Sequence, residues 1–189
     1  VGRWGVRLTD DQIQDAIDLG HKRQLGNWNA GRTSSYGASN EWSVGLRYHI
    51  CGCLGEMAYW VWCILLGKTL EWNYFDEEYL KKGARPIKKP DFKPDIDTKW
   101  AGEPGHKLII GANENDFWRY LLVDGTNHPL YEMAGWYYGR EAKRPMWQKD
   151  EYIDRDGARR KGGSFFVPRE ALRQMTEWTF DNPWLGARI

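Results

Sequence analysis

The segment Pro90-Asp91-Phe92-Lys93-Pro94-Asp95-Ile96-Asp97-Thr98-Lys99 carries the side chains best suited to chemistry. Side chains alternate along a strand, so Asp97 and Lys99 would share one face while Thr98 points away. If Asp91 ends the neighbouring strand of a hairpin, its carboxylate can approach that of Asp97. Two carboxylates so placed form a hard-oxygen site suited to Mg2+ (or Mn2+), which keeps several waters and binds phosphate oxygens. The Thr98 carbonyl is available as a further ligand. A lysine beside the metal can orient or deprotonate an attacking water, or neutralise charge developing on the phosphate. The chemistry this set supports is metal-assisted hydrolysis of a phosphodiester. A bare D-x5-D-x-K also arises by chance, and acid–base pairs on hairpins are commonly surface ion pairs worth little. Asp95 would share the face of Asp97 on a regular strand, so it competes with Asp91 for the same role.

Glu56 is a second candidate. It lies inside Ile50–Leu66 (ICGCLGEMAYWVWCILL), the most apolar stretch of the chain, where an ionised carboxylate is costly unless paired or bound to metal. An Arg or Trp N–H could satisfy it structurally; a strand-borne carboxylate pair nearby would instead make it part of one site. His49, two helical turns earlier on the same face, is either a hydrogen-bonding neighbour of that site or a structural histidine.

The elements that must hold these residues are legible in outline. Thr9-Asp10-Asp11-Gln12 fits a capping box, and Ile13, Ala16 and Ile17 follow at helical spacing, which predicts a helix over roughly 10–24. The Gly-, Ser- and Asn-rich stretch 26–40 reads as a loop. A second helix, about 41–66, is apolar on nearly every face and therefore buried, with Gly67 as its C-cap. Strands are expected at Thr69–Phe75, in two short pieces within Asp91–Trp100, and at Lys107–Gly111. Further strands are expected at Phe117–Val123, Leu130–Tyr138 and Ser164–Val167. A final helix is expected from Pro168. The implied class is α+β: a mixed sheet packed against a buried helix, with an N-terminal helix and loop (1–40) preceding the main domain (41–189).

Composition narrows the function classes. The 189 residues include 12 Trp, 10 Tyr and 6 Phe, which excludes disorder and leaves two uses for the rings. They form an aromatic core, or some form a platform for sugars or single-stranded bases. Trp60, Trp62, Trp72, Trp100, Trp118 and Trp136 fall on expected core elements, which favours the former; Trp28 and Trp147 remain candidates for exposure. Cys51, Cys53 and Cys63 cluster in one expected helix, so a reducing, cytoplasmic setting is favoured over a disulfide framework. The 17-residue apolar stretch is shorter than the ~20 a membrane span needs and carries Glu56, and Val1–Leu8 lacks the apolar run of a secretory signal. Net charge is +1, from −3 over residues 1–80 and +4 over 81–189. Lys143, Arg144 and the run Arg159-Arg160-Lys161 could therefore meet phosphates, and the Gly-containing stretch 150–163 reads as a surface loop that could order on nucleic acid.

Glu56 on a core helix, followed by Pro90-Asp91 and Asp97-x-Lys99, resembles the PD-(D/E)XK nuclease superfamily, whose restriction-endonuclease-like core runs helix, three strands, helix, strand. The downstream Gly135-Trp136-Tyr137-Tyr138-Gly139-Arg140-Glu141-Ala142-Lys143-Arg144-Pro145, then Phe165-Phe166-Val167-Pro168 with Leu172-Arg173, is similar to small bacteriophage proteins assigned to that group. The resemblance spans roughly residues 45–175. It implies that Asp91 and Asp97, with the Thr98 carbonyl, bind Mg2+ or Mn2+. Glu56 becomes an accessory ligand or an orienter of the attacking water, and Lys99 contacts water and the scissile phosphate. The implied protein is a phage-type deoxyribonuclease, an endonuclease acting on DNA in the host cytoplasm, and cutting both strands with one site per chain would favour a homodimer. The alternative is an inactive nuclease-fold module that binds DNA or associates with the virion. Two departures stand out: the acidic position before Lys99 is the shorter Asp97, and Ala101-Gly102-Glu103-Pro104-Gly105 reads as a turn where the superfamily has a helix.

Overall fold

A computed structural model of the chain describes residues 4–29, 42–73, 89–153 and 159–180. Strand β1 (Gly5–Arg7) leads into helix α1 (Asp10–Asn29). The expected capping box is formed: the Thr9 backbone N–H donates to Gln12 Oε1 (2.9 Å) and the Gln12 N–H to Thr9 Oγ1 (3.3 Å). The helix runs beyond 24, through the start of the expected loop. Its last turn has tertiary partners that outweigh weak local propensity. Asn27 Nδ2 meets His49 Nε2 at 2.8 Å, and the Trp28 ring sits edge-on to Trp42 at 5.5 Å. The rest of that loop lies outside the described residues.

Helix α2 (Trp42–Leu65) is the buried helix. It ends in a Schellman motif: Lys68 N–H donates to Cys63 O and Gly67 N–H to Ile64 O, both at 2.9 Å. Gly67 adopts φ +69°, which glycine accepts without steric cost. Gly20 of α1 lets the two helices touch, since a Cβ there would lie 2.8 Å from Ile50 Cα. No helix among the described residues is long and apolar enough to cross a membrane.

Beyond α2, six further strands and one short helix follow: β2 (Ile96–Ala101), β3 (Leu108–Gly111), β4 (Arg119–Asn127), β5 (Leu130–Tyr138), helix α3 (Gly139–Ala142), then β6 (Gln148–Ile153) and β7 (Arg159–Val167). A mixed four-stranded sheet has the order β1-β5-β4-β2, with β2 parallel to β4 and the other pairs antiparallel. A second sheet, β3-β7-β6, is antiparallel. The arrangement has three layers: helices, mixed sheet, second sheet. Along β4, Leu121 and Val123 join the core made with α1 and α2, whereas Tyr120 and Leu122 join the core shared with Leu108, Ile110 and Val167. Parallel neighbours need a crossover. Here residues 102–118 supply it through β3, which is why no helix follows Lys99.

Three expectations need correction. Thr69–Phe75 contributes one bridged residue, Trp72, and residues 74–75 lie outside the described set. Residues 148–153 and 159–167 pair as a hairpin instead of forming a loop; the ladder is set by cross-strand partners, which the polar, glycine-containing local sequence does not announce. After Pro168 there are only 3-10 turns, Arg169–Ala171 and Met175–Glu177. There Arg173 bridges Trp136 and extends the backbone, so no helix propagates.

The tryptophans divide as expected in part. Trp62, Trp118, Trp136 and Trp178 are buried, while Trp28 is 55% exposed. Trp147 is half-buried, edge-on to Tyr137, with the Arg144 guanidinium 5.1 Å above its ring.

Candidate active site

Asp91, Asp97 and Lys99 gather at the outer edge of β2. Phe92 and Ile96 exchange both backbone hydrogen bonds (2.9 and 3.0 Å), which closes a tight hairpin. One residue further on each arm, that register sets Asp91 opposite Asp97. Asp91 Oδ2 accepts from the Thr98 N–H at 2.7 Å and from Thr98 Oγ1 at 2.8 Å. The N–H and C=O of one strand residue point to the same side, so the Thr98 carbonyl also faces this edge. Asp97 Oδ1 lies 2.7 Å from Lys99 Nζ, as expected for positions i and i+2 of a strand.

Glu56 reaches the same edge from the helix layer, where Gly55 packs beneath Trp100. It is buried and doubly engaged. Arg23 of α1 donates Nη1 to Oε1 (2.5 Å) and Nη2 to Oε2 (2.7 Å), and Trp72 donates its Nε1–H to Oε2 (2.8 Å). The bidentate fork is the strong form of such a pair. Both structural partners that sequence reasoning allowed for Glu56, an arginine and an indole N–H, are therefore present. His49 pairs with Asn27. Burial, and then the neighbouring Arg23 charge, bring its pKa down to about 4.

The carboxylates sense each other. Burial, followed by the negative charges of Glu56 and Asp97, holds the Asp91 carboxyl well above the usual carboxylate range, and Arg23 and Lys99 only partly oppose this. Glu56 and Asp97 approach from opposite faces of β2, with Asp91 between them at the edge. This explains why the described residues contain no group of three or more His, Cys, Asp and Glu side chains arranged to hold a metal ion. A two-carboxylate site remains: among the described residues no hydrogen bond is made to Asp91 Oδ1, and Asp97 is engaged by Lys99. Mg2+ commonly binds through one or two carboxylates and keeps its waters. The donors Asp91, Asp97 and the Thr98 carbonyl therefore fit such an ion by type and by their excess of negative charge.

Asp95 does not compete. Fully buried, it forms a two-pronged pair with Arg119, Oδ2 to Nε at 2.7 Å and Oδ1 to Nη2 at 2.8 Å. It precedes β2 in the turn, so the strand alternation assumed for it does not apply.

Two site residues were missed. Arg23 follows Ala16 and Gly20 along one face of α1; a cation on an otherwise apolar face, matched to a lone Glu in an apolar helix, was the available signal. Glu114 lies in the turn after β3, buried, with Oε1 3.0 Å from Lys99 Nζ. Its turn setting reads as surface in the sequence.

The expected phosphate contacts separate. Lys143 Nζ is committed to the Glu114 carbonyl (2.6 Å) and Asp116 Oδ1 (2.5 Å). Arg144 is exposed and stacked over Trp147. Arg159, Arg160 and Lys161 lie on β7, and their side chains fall outside the described set. No protein-family model, curated protein or solved structure matches the chain.

Proposed function

We propose that the chain is a divalent-metal-dependent deoxyribonuclease of the PD-(D/E)XK type, with a restriction-endonuclease-like core, hydrolysing phosphodiester bonds as an endonuclease. The observation that carries this reading is Asp91, an edge carboxylate whose pKa is raised by burial and then by Glu56 and Asp97, beside the Asp97–Lys99 pair. Asp91, Asp97 and the Thr98 carbonyl would hold the ion. When bound, Mg2+ or Mn2+ supplies Lewis-acid stabilisation of phosphate oxygens. Lys99 presents its ammonium to the scissile phosphate and offsets charge that develops there. Glu56, fixed by Arg23 and Trp72, contributes negative charge behind Asp91; service as a ligand would require it to leave that clamp. Arg144, exposed on its aromatic support, is the described cation best placed to meet the nucleic-acid backbone, a contact that positions without reading sequence.

The test is cleavage of plasmid, linear and single-stranded DNA with Mg2+ or Mn2+. Asp97→Ala and Lys99→Ala are each expected to lose at least about a hundredfold in rate, the scale of removing one electrostatic stabiliser, while circular dichroism stays unchanged. Full activity in both variants would sink the assignment.

A second reading has its own support: the Arg23–Trp72 clamp on Glu56 favours an inactive nuclease-fold DNA-binding module. DNA binding without divalent-ion binding or cleavage would select it.

A further inference from the structure

Glu114 stands outside the D-x5-D-x-K pattern, yet it shares Lys99 with Asp97. Lys99 Nζ lies 2.7 Å from Asp97 Oδ1 and 3.0 Å from Glu114 Oε1, and both carboxylates are buried. The ring of Tyr120 lies 5.3 Å from the same ammonium. The turn that presents Glu114 is tied down on several sides. Glu114 N–H donates to Gly111 O (3.0 Å) and the Tyr120 hydroxyl to Asn115 O (3.1 Å). Lys143 grips the Glu114 carbonyl and Asp116. A lysine ammonium on a flexible four-carbon stem loses its direction when an anchor is withdrawn. Under the proposed reaction, Asp97 must turn an oxygen toward a cation, and its hold on Lys99 weakens at that moment.

We infer that Glu114 is a positioning residue of this site: the second anchor that keeps the Lys99 ammonium in place while Asp97 engages a divalent ion. Without it, Lys99 closes on Asp97 and competes with the ion for the same carboxylate. The purpose of the anchor rests on the proposed metal-dependent reaction; its geometry does not. Lys143 acquires a role too, as the strut of the anchoring turn.

The full chain is compared as wild type, E114Q, K99M and the double variant, by 15N NMR of lysine ammonium groups and by calorimetric titration with Mg2+. A held Lys99 ammonium gives a slowly exchanging signal in the metal-free wild type, and E114Q loses it. E114Q also weakens Mg2+ binding about tenfold, the usual scale for removing an outer support of a metal ligand. In the K99M background, where the competitor is gone, E114Q has little further effect. K143M, which loosens the turn without touching Lys99, shifts both readouts the same way and serves if E114Q folds poorly. Persistence of the ammonium signal in E114Q and K143M overturns the inference, as do additive effects of E114Q and K99M on Mg2+ affinity. A wild type that binds no Mg2+ but shows the expected signal changes defeats the metal reading and leaves the anchor standing.

Discussion

His49 and Asp91 both sense the charges of the Arg23–Glu56 pair and respond to acid in opposite senses. His49 has a folded pKa of about 4 against an ordinary 6.5, so it favours the folded state above pH 6.5, and that contribution drains away as the pH falls toward 4. Asp91 is raised, so its contribution is complete below the unfolded carboxylate range and is lost as the pH rises through its folded pKa. Comparison of wild type with His49→Gln separates the two. The urea midpoint of the wild type is expected to fall more steeply than that of the variant between pH 6.5 and 4; parallel curves would show that His49 is not held neutral. At this scale the sequence exposed what chemical oddity can expose. Asp91, Asp97 and Lys99 stood out by spacing, and Glu56 by the cost of its surroundings. Glu114 did not, because its burial arises only when the crossover after β2 folds back over Lys99. Arg23 was readable in principle, but only by pairing two helices whose contact the sequence did not announce.

Element ends were most legible where their cause was local. The Thr9–Gln12 box and the Gly67 terminus are interactions between near neighbours, so sequence alone marks where α1 begins and α2 ends. The β6–β7 hairpin was hidden because its charges and glycines resemble a loop until cross-strand partners are known. The missing final helix has the same origin: Arg173 is held by backbone bonds to Trp136, a partner thirty-seven positions away. The contact between α1 and α2 carries a direct prediction. Gly20→Ala places a methyl group against the Ile50 backbone, and the helices must separate. A loss of about 1–3 kcal/mol is expected by urea denaturation, the usual cost of overpacking. A neutral result would mean that the helices slide freely at this point. Since Arg23 lies one turn beyond Gly20, the same variant should disturb the clamp on Glu56.

Across the whole molecule, the mixed sheet is joined to its surroundings by buried charge as well as by apolar packing. Arg119 binds Asp95 at the head of β2 and also donates to the carbonyls of Thr179 and Phe180, with Trp178 stacked 4.8 Å from its guanidinium. One side chain thus secures the turn before the candidate site and the chain beyond β7. The sequence showed an α+β chain with a central apolar helix, but not the division into two sheets, since no local pattern states which strands pair. That division leaves β2 at the border of the mixed sheet. Border strands expose backbone donors and acceptors that invite another chain to add on. Here the Asp91 carboxylate occupies the Thr98 N–H from outside, where a neighbouring strand would bind. Asp91 is therefore expected to keep this edge from pairing with another chain, apart from the proposed chemistry. Asp91→Ala should shift the protein toward higher-order species on size-exclusion chromatography, whereas Asp91→Asn, whose amide oxygen still accepts that bond, should elute like the wild type. Identical elution of both variants would remove this role. The carboxylate proposed to bind a cation is then also what keeps one copy of the molecule from zipping onto the next.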